Sequence, residues 1–143
     1  MAAAGRRLAA VVGVMVVLTA TAAPRAQDWE VAAAGQAADT WLALVDARNY
    51  AASWDLAATF FKDNVTPEQW AVSAGEARRP LGAMRLREIR TATRVSTLPG
   101  VPDGDYVVFQ FDTIFAGKAA AVETVTFVRE DDGLWRAVGY FVR

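Results

Sequence analysis

The carboxyl-terminal part of the chain constrains the fold most, because three strand-like runs follow one another there with only turn-forming residues between them. Apolar and polar residues alternate in residues 106–115, 119–129 and 134–142, as in half-buried β-strands. The short segments between these runs contain Gly117 and Gly133, and glycine is typical of tight hairpin turns because it tolerates a positive φ. Residues 104–143 are therefore predicted to form an antiparallel meander.

The first residues have the pattern of a secretory signal peptide. Arg6 and Arg7 precede an uncharged run over residues 8–23, which is shorter than the roughly 20 residues that a membrane-spanning helix needs. Small residues at its end predict cleavage after Ala22 or near Ala26. We therefore expect a signal peptide at residues 1–22, one domain at residues 28–143, and export to the periplasm or the exterior.

The composition excludes several kinds of partner and site. Fifteen basic residues face sixteen acidic ones, a balance that argues against a dedicated nucleic-acid binder. We expect no stable membrane insertion after cleavage of the signal peptide. The chain has no cysteine, so neither a disulfide nor a cysteine-linked lipid anchor is expected.

Apolar spacing predicts helices before the meander. Residues 28–48 repeat apolar side chains at helical intervals around Trp41, and Asn49 interrupts a pattern that resumes through residues 54–61. Thr66 begins a capping box that predicts a third helix ending by Arg79, because Pro80 follows it. Residues 84–97 are predicted to form a charged edge strand.

The two turns set a predicted register and two predicted sheet faces. If each turn has two residues, the pairs are Gln110 with Glu123, Val108 with Val125, Phe127 with Val138, and Val125 with Tyr140. The face predicted to lie under the helices carries Val107, Phe109, Phe111, Phe115, Val122, Val128 and Phe141. The opposite face carries Tyr106, Val108, Gln110, Asp112, Glu123, Val125, Phe127 and Tyr140. A bulge would shift these assignments, and Gly139 is a plausible place for one.

The fold class predicted from these elements is α+β, with N-terminal helices packed on a four-stranded, curved antiparallel sheet. Six ordered motifs carry a family resemblance: WLALVD (41–46), YAASW (50–54), RPLG (79–82), PGVPDGDY (99–106), AVETV (121–125) and GLWRAVGY (133–140). With them the chain resembles the bacterial exported proteins grouped as domain of unknown function 4019. The resemblance implies a small secreted or periplasmic α+β domain and no transferable catalytic residues. The element order also resembles the cystatin-like and nuclear-transport-factor-2-like folds, a likeness that does not confer function.

The absence of histidine and cysteine is the strongest chemical statement, because it removes histidine-dependent triads, thiol nucleophiles and typical zinc sites. No cofactor motif is present, and the acidic turns at residues 103–105 and 131–133 lack the ligand spacing of a calcium loop, so we expect neither cofactor nor metal. The predicted register gathers five candidate ligand-binding residues: Gln110, Asp112, Glu123, Tyr106 and Tyr140. A general base among them is one interpretation. In the favoured one, Asp112 lies in water near the hairpin end and Glu123 is paired with an arginine of the edge strand or with Gln110.

Six arginines fall between residues 78 and 94, namely Arg78, Arg79, Arg85, Arg87, Arg90 and Arg94. This run could bind an anionic surface. The favoured interpretation is a solvated helix end and an edge strand whose charges discourage pairing with a foreign sheet.

The expected function is a non-catalytic domain that binds a protein partner or a small ligand in the cell envelope through the sheet face opposite the helices. A homodimer through that face is one form of such binding. Two alternatives stay open: an isomerase- or lyase-type enzyme that uses Glu123 or Asp112 in a sheet-lined pocket, and a structural envelope protein without a ligand. A closed concavity around a desolvated Glu123 would favour catalysis, and a shallow apolar patch would favour association.

Overall fold

A computed structural model describes residues 26–143, where four helices precede four strands. The helices are α1 (Ala26–Asp46), α2 (Tyr50–Asp55), α3 (Thr59–Asn64) and α4 (Pro67–Arg78). The strands are β1 (Met84–Val95), β2 (Tyr106–Phe115), β3 (Lys118–Arg129) and β4 (Trp135–Val142). The predicted signal peptide lies outside the described residues and stays a prediction. In the described part, no helix is long and apolar enough to cross a membrane.

The helix boundaries follow local signals in the sequence. The predicted capping box is present, since the Thr66 hydroxyl accepts from the Gln69 amide at 3.2 Å and the Gln69 side chain accepts from the Thr66 amide at 2.9 Å. The predicted interruption is also present. There Arg48 adopts a φ of 58°, and Asn49 becomes the N-cap of α2 by accepting a hydrogen bond from the Ala52 amide.

The helical pattern that resumes after Asn49 forms two short helices instead of one. The chain between α2 and α3 runs beside β4, where the Ala58 amide donates to the Ala137 carbonyl at 2.8 Å. This tertiary hydrogen bond competes with helix propagation, and it covers part of the β4 edge.

The four strands form one antiparallel sheet in the order β1-β2-β3-β4. This confirms the predicted α+β class and places the charged β1 at an edge. The arrangement is compatible with the cystatin-like and nuclear-transport-factor-2-like label.

The first hairpin contains a bulge that the predicted register lacked. Phe115 pairs with Lys118 as expected for a two-residue turn, but Thr113 pairs with Ala121. Two residues of β3, at positions 119 and 120, therefore oppose Ile114 alone. The extra residue shifts every later pair by one position.

That shift corrects the predicted neighbours of Glu123. Glu123 lies opposite Phe111 and not opposite Gln110, whose partner is Thr124. Because side chains alternate along a strand, a one-residue slip moves the whole set to the other face. Glu123 consequently points toward the helices.

The second hairpin departs from the prediction twice, and the two departures cancel. Its loop is longer than two residues, because the Glu130 amide donates to the Leu134 carbonyl and Arg129 pairs with Trp135. Phe127 therefore pairs with Ala137 and not with Val138. A bulge next to Gly139, at the predicted place, restores the expected pairing of Val125 with Tyr140.

The helices pack on one face of the sheet. The predicted Phe-rich face is correct for the β2 residues but wrong for Val122, Val128 and Phe141, since Phe141 is 55% exposed. Because of the bulges, the alternate residues of β3 and β4 face the core instead of the predicted ones. The main core cluster consists of Ala34, Ala38, Trp41, Leu42, Val45, Trp70, Ala74, Val107, Phe109, Phe111, Val125, Phe127, Trp135 and Ala137.

Two tryptophans fix the helices to one another through Ser53. The Trp41 indole donates to the Ser53 carbonyl at 2.8 Å, and the Trp70 indole donates to the Ser53 hydroxyl at 2.9 Å. Their rings lie 5.6 Å apart between centroids. A buried indole N–H needs such a partner, so both tryptophans anchor the packing of the helices.

The first hairpin turn needs a glycine because another part of the backbone approaches it closely, and not because its φ is positive. Gly117 is not among the positive-φ residues, but a Cβ at this position would lie 2.7 Å from the Pro80 carbonyl oxygen. The Gly117 amide also donates to the Leu81 carbonyl at 2.8 Å. The turn therefore packs directly on the backbone that joins α4 to β1.

We predict that Gly117→Ala lowers the free energy of unfolding by about 1–3 kcal/mol, because the backbone must move away from Pro80. Gly35→Ala is the matched control: its Cβ would meet only the Phe109 ring at 4.0 Å, and alanine favours the helix by about 1 kcal/mol. Urea denaturation measures both changes. Equal effects of the two substitutions would contradict the close contact.

Candidate functional site

Of the five candidate residues, the fold brings only Glu123 and Tyr140 together. The Tyr140 hydroxyl donates to the Glu123 carboxylate at 2.7 Å on the helix side of the sheet. Gln110 and Asp112 lie on the outer face, where the nearest polar contacts are with β1. The prediction that the five residues share one face is therefore wrong, because the first-hairpin bulge reverses the side of Glu123.

Tyr106 is buried away from the other candidates. Its side chain is 3% exposed, and its hydroxyl donates to the carbonyl of Pro102. Burial, together with the charge of Asp103, raises the pKa of this phenol. Tyr106 thus anchors the loop between β1 and β2.

Glu123 is completely buried, yet its carboxylate accepts hydrogen bonds from four side chains. Oε1 accepts from Thr113 Oγ1 at 2.6 Å and from Arg87 Nε at 2.7 Å. Oε2 accepts from Tyr140 at 2.7 Å, from Arg87 Nη2 at 3.2 Å and from Arg78 Nη1 at 3.3 Å. A buried carboxylate needs this many hydrogen-bond partners, because removing an unpaired charge from water costs much free energy.

Asp46 completes the arrangement at the end of α1. Its carboxylate contacts Arg78 Nη2 at 2.7 Å and Arg87 Nη1 at 2.8 Å. Two guanidinium groups therefore bridge two carboxylates, and Tyr140 contributes a neutral hydroxyl. We call these five residues (Asp46, Arg78, Arg87, Glu123 and Tyr140) the buried charge network. They come from α1, α4, β1, β3 and β4, and Thr113 of β2 adds a further hydrogen-bond donor, so all four strands take part.

The network shifts the pKa of several members. Burial alone would raise the pKa of Asp46, but hydrogen bonds and charges from Arg87 and Arg78 outweigh it and hold that pKa below 3.8. Burial and the charge of Glu123 raise the pKa of Tyr140, which keeps its hydroxyl protonated. Burial would lower the pKa of Arg87, but its bonds to Asp46 and Glu123 raise it instead.

The interior around Arg78 is dense. Its guanidinium carbon lies 4.6 Å from the centroid of the Phe115 ring, and the side chain is 4% exposed. The Nε atom has no hydrogen-bond partner within residues 26–143. Arg78 therefore fills the space beside Glu123 where the predicted pocket would have been.

This geometry favours a structural role for Glu123. A general base must reach a substrate proton, but the Glu123 side chain has no solvent-accessible surface and both oxygens are engaged. Residues 26–143 also contain no group of three or more acidic side chains arranged to hold a metal ion. The network closes the interior and joins the helices to the sheet.

The arginine run is divided among different partners. Arg78 and Arg87 belong to the buried charge network, Arg90 pairs with Asp112 at 2.6 Å, and Arg94 pairs with Glu30 and Asp105. Intramolecular carboxylates thus neutralise four of the six arginines. The run does not present a continuous positive surface.

Sequence reasoning missed Asp46 and the inward direction of Arg78 and Arg87. One signal was available: Trp70, Ala74 and Arg78 recur every four residues along α4, and all three are buried. An arginine on an apolar helix face needs a buried anion. Its partners lie 32 and 45 residues away in the chain, so spacing alone does not identify them.

We predict that Glu123→Gln lowers the free energy of unfolding by about 3–5 kcal/mol, because the substitution leaves buried arginine charge without its partner. Asp112→Asn is the control, since Asp112 is 53% exposed in a surface ion pair and should change stability by less than about 1 kcal/mol. Chemical denaturation distinguishes the two. A Glu123→Gln protein as stable as Asp112→Asn would contradict the structural role.

The pKa of Asp46 predicts a contribution to acid sensitivity. Its folded-state pKa is lower than the ordinary 3.8, so its stabilising contribution is complete above about pH 4 and disappears as the pH falls through the folded-state value. Asp46→Asn should be less stable than the natural protein at pH 7, and the difference should shrink toward pH 2. Asp39→Asn, an exposed change on the same helix, is the control. A pH-independent difference for Asp46→Asn would contradict the ion pairs.

Comparisons with known proteins agree with the family resemblance. A search of the curated proteins found no match, and neither did a search of the solved structures. The profile of one family, described as protein of unknown function (DUF4019), matches residues 37–140. This match covers all of α2 to β3, the second half of α1 and most of β4. The chain therefore belongs to the DUF4019 family.

Proposed function

We propose that the protein is an exported, non-catalytic binding domain of the cell envelope that holds a protein partner on the outer face of its sheet. The observation that carries this proposal is the composition of that face. Within residues 26–143 the helices pack only on the other side, so the outer face is open to a partner. The basic and apolar segments at the start of the chain support export.

The centre of the outer face is uncharged. Two rows of register partners cross all four strands, Thr91, Gln110, Thr124 and Phe141 in one, and Thr93, Val108, Thr126 and Gly139 in the other. Charged side chains lie beside these rows, where Asp112 pairs with Arg90. An interface has the same organisation, with charges depleted at its core and present at its rim.

Exposed apolar side chains add to this surface. Phe141 is 55% exposed, Leu86 is 47% exposed and Ile114 is 42% exposed. Thr124 is nearly buried among its neighbours, yet its hydroxyl has no hydrogen-bond partner in the described part of the chain. A partner that covers the face would remove apolar area from water and could satisfy this hydroxyl.

The buried charge network supports association over catalysis. The enzyme alternative required a concavity around Glu123, but arginine side chains occupy that position and the carboxylate has no exposed surface. The structural alternative without any ligand makes a different prediction, namely that no partner contacts the outer face.

Site-specific photocrosslinking in the native envelope tests the proposal. A photoreactive phenylalanine analogue replaces Phe141 in the full chain, and in a matched control it replaces Val72, which is 60% exposed on α4. We expect a discrete crosslinked product from position 141 and none from position 72. Mass spectrometry identifies the product, and a product of two copies would make the partner a second chain.

A second variant tests whether the product depends on the centre of the outer face. Thr126→Arg places a charge at the centre of the outer face, and it should abolish the product from position 141 while the melting temperature changes little. The absence of a product from position 141, together with a purified protein that stays monomeric and without partners, would overturn the proposal.

A further inference from the structure

We infer that a cavity among the helices binds a small zwitterion, namely a free α-amino acid with an apolar side chain. The cavity has a volume of about 420 Å³ and lies between the junction of α1 with α2 and one side of α4. This volume is near the lower end of the range for ligand sites, so it suits a small molecule. Among the described residues, those that line the cavity include none from the sheet, and the inference is therefore independent of the proposed function.

Three charged side chains line the cavity without a hydrogen bond or an ion pair to the rest of the described chain: Arg48, Arg79 and Glu76. Most arginines of residues 26–143 are engaged instead. Those that pair with a carboxylate are Arg78, Arg87, Arg90, Arg94, Arg129 and Arg136. The fold therefore brings two arginines that lack a carboxylate partner to one cavity, where an anionic group of a ligand would pair with them.

Arg48 is held in a backbone conformation that favours glycine. It ends α1 in a Schellman motif, in which the Arg48 amide donates to the Val45 carbonyl at 3.0 Å and the Asn49 amide donates to the Leu44 carbonyl at 2.8 Å. The motif places Arg48 at a φ of 58°, where a Cβ is unfavourable. A glycine would form the same turn with less strain, so local structure does not account for the arginine. A ligand that contacts its guanidinium would account for it.

The hydrogen-bond donors of the cavity suit a carboxylate. Arg48 and Arg79 each carry a planar guanidinium, which binds a carboxylate through two parallel hydrogen bonds. The Tyr50 ring also lines the cavity, and it is held by an edge contact with the Trp70 ring at 6.5 Å between centroids. The Tyr50 hydroxyl makes no hydrogen bond within the part of the chain that the structure describes, so it adds a further donor.

Glu76 distinguishes a zwitterion from a simple anion. Its carboxylate would repel an anion bound to the arginines, whereas an ammonium group beside the bound carboxylate would pair with it. An α-amino acid carries both charges on one carbon atom. It therefore engages all three charged side chains, whereas a plain carboxylate engages two of them and is repelled by the third.

The other lining residues suit an apolar ligand side chain. Ala71, Val72 and Gly75 form the α4 side of the cavity, and Val72 is 60% exposed. Gly75 keeps this wall open, since a Cβ there would already meet the Tyr50 ring at 3.7 Å. A ligand side chain in this space would remove the apolar surface of Val72 from water.

Calorimetry with the purified, exported protein tests the inference with four probes: leucine, glycine, N-acetyl-leucine and leucine amide. N-acetyl-leucine lacks the ammonium group, leucine amide lacks the carboxylate, and glycine lacks the apolar side chain. We expect leucine to bind saturably with a Kd below about 1 mM, and each other probe to bind at least about tenfold more weakly. In ¹H–¹⁵N spectra, leucine should shift the amide signals of residues 48–50 and 71–79.

Substitutions locate the site. Arg79→Gln should weaken leucine binding at least about tenfold. Arg85→Gln is the matched control and should leave binding unchanged, because Arg85 is an exposed arginine that has no carboxylate partner in residues 26–143 and lies outside the cavity. Gly75→Met fills the cavity and should abolish binding, whereas Ser73→Met, an exposed change on another side of α4, should not.

Arg48→Gly keeps the inference testable if Arg79→Gln destabilises the protein. The substitution relieves the strained φ, so the melting temperature should not fall, while leucine binding should weaken at least about tenfold. Glu76→Gln should bring the affinities for leucine and N-acetyl-leucine together, because the ammonium group loses its partner.

Several results would overturn the inference. They are no saturable binding of leucine, equal binding of leucine and N-acetyl-leucine by the natural protein, equal effects of Arg79→Gln and Arg85→Gln, and undiminished leucine binding by the Arg48→Gly protein. Preferential binding of inorganic phosphate or N-acetyl-leucine would make this a simple anion site and would also overturn it. Crosslinking at position 141 should persist in all these variants, so the two proposals can fail separately.

Discussion

The burial of Glu123 is the constraint on which the rest of the structure depends. A carboxylate without solvent-accessible surface has to be compensated inside the protein, and the compensation comes from Arg78 at the end of α4 and Arg87 in β1. Asp46 then balances the second positive charge from the end of α1. One buried charge thereby fixes the relative positions of two helices and the sheet.

This network also decides what the interior can do. An open space beside Glu123 would have suited a sheet-lined catalytic pocket, but Arg78 fills it and packs on Phe115. The surfaces left for function are therefore on the outside. The outer face combines an uncharged centre with exposed Phe141.

The candidate site was predicted less well than the fold, and the reason is one extra residue. Ala119 and Ala120 oppose a single residue of β2, which reverses the side of Glu123 relative to Gln110 and Asp112. Alanine is not a residue type that indicates a bulge, so the hairpin sequence is equally compatible with a turn that has none. The bulge beside Gly139 was easier to predict, because the glycine marks its position in the sequence.

The sequence by itself determined the local structure of this protein: helix positions from apolar spacing, the start of α4 from the capping box at Thr66, and the strands from alternation. It also indicated the family, through ordered motifs between residues 41 and 140 that lie inside the matched range 37–140. These features depend on neighbours a few residues apart. Only the tertiary structure decided which face each β3 side chain occupies and which arginines meet Glu123, because those contacts join residues 36 and 45 positions apart. The meander that defines the fold could therefore be predicted from the sequence, whereas the buried charge network that joins it to the helices could not.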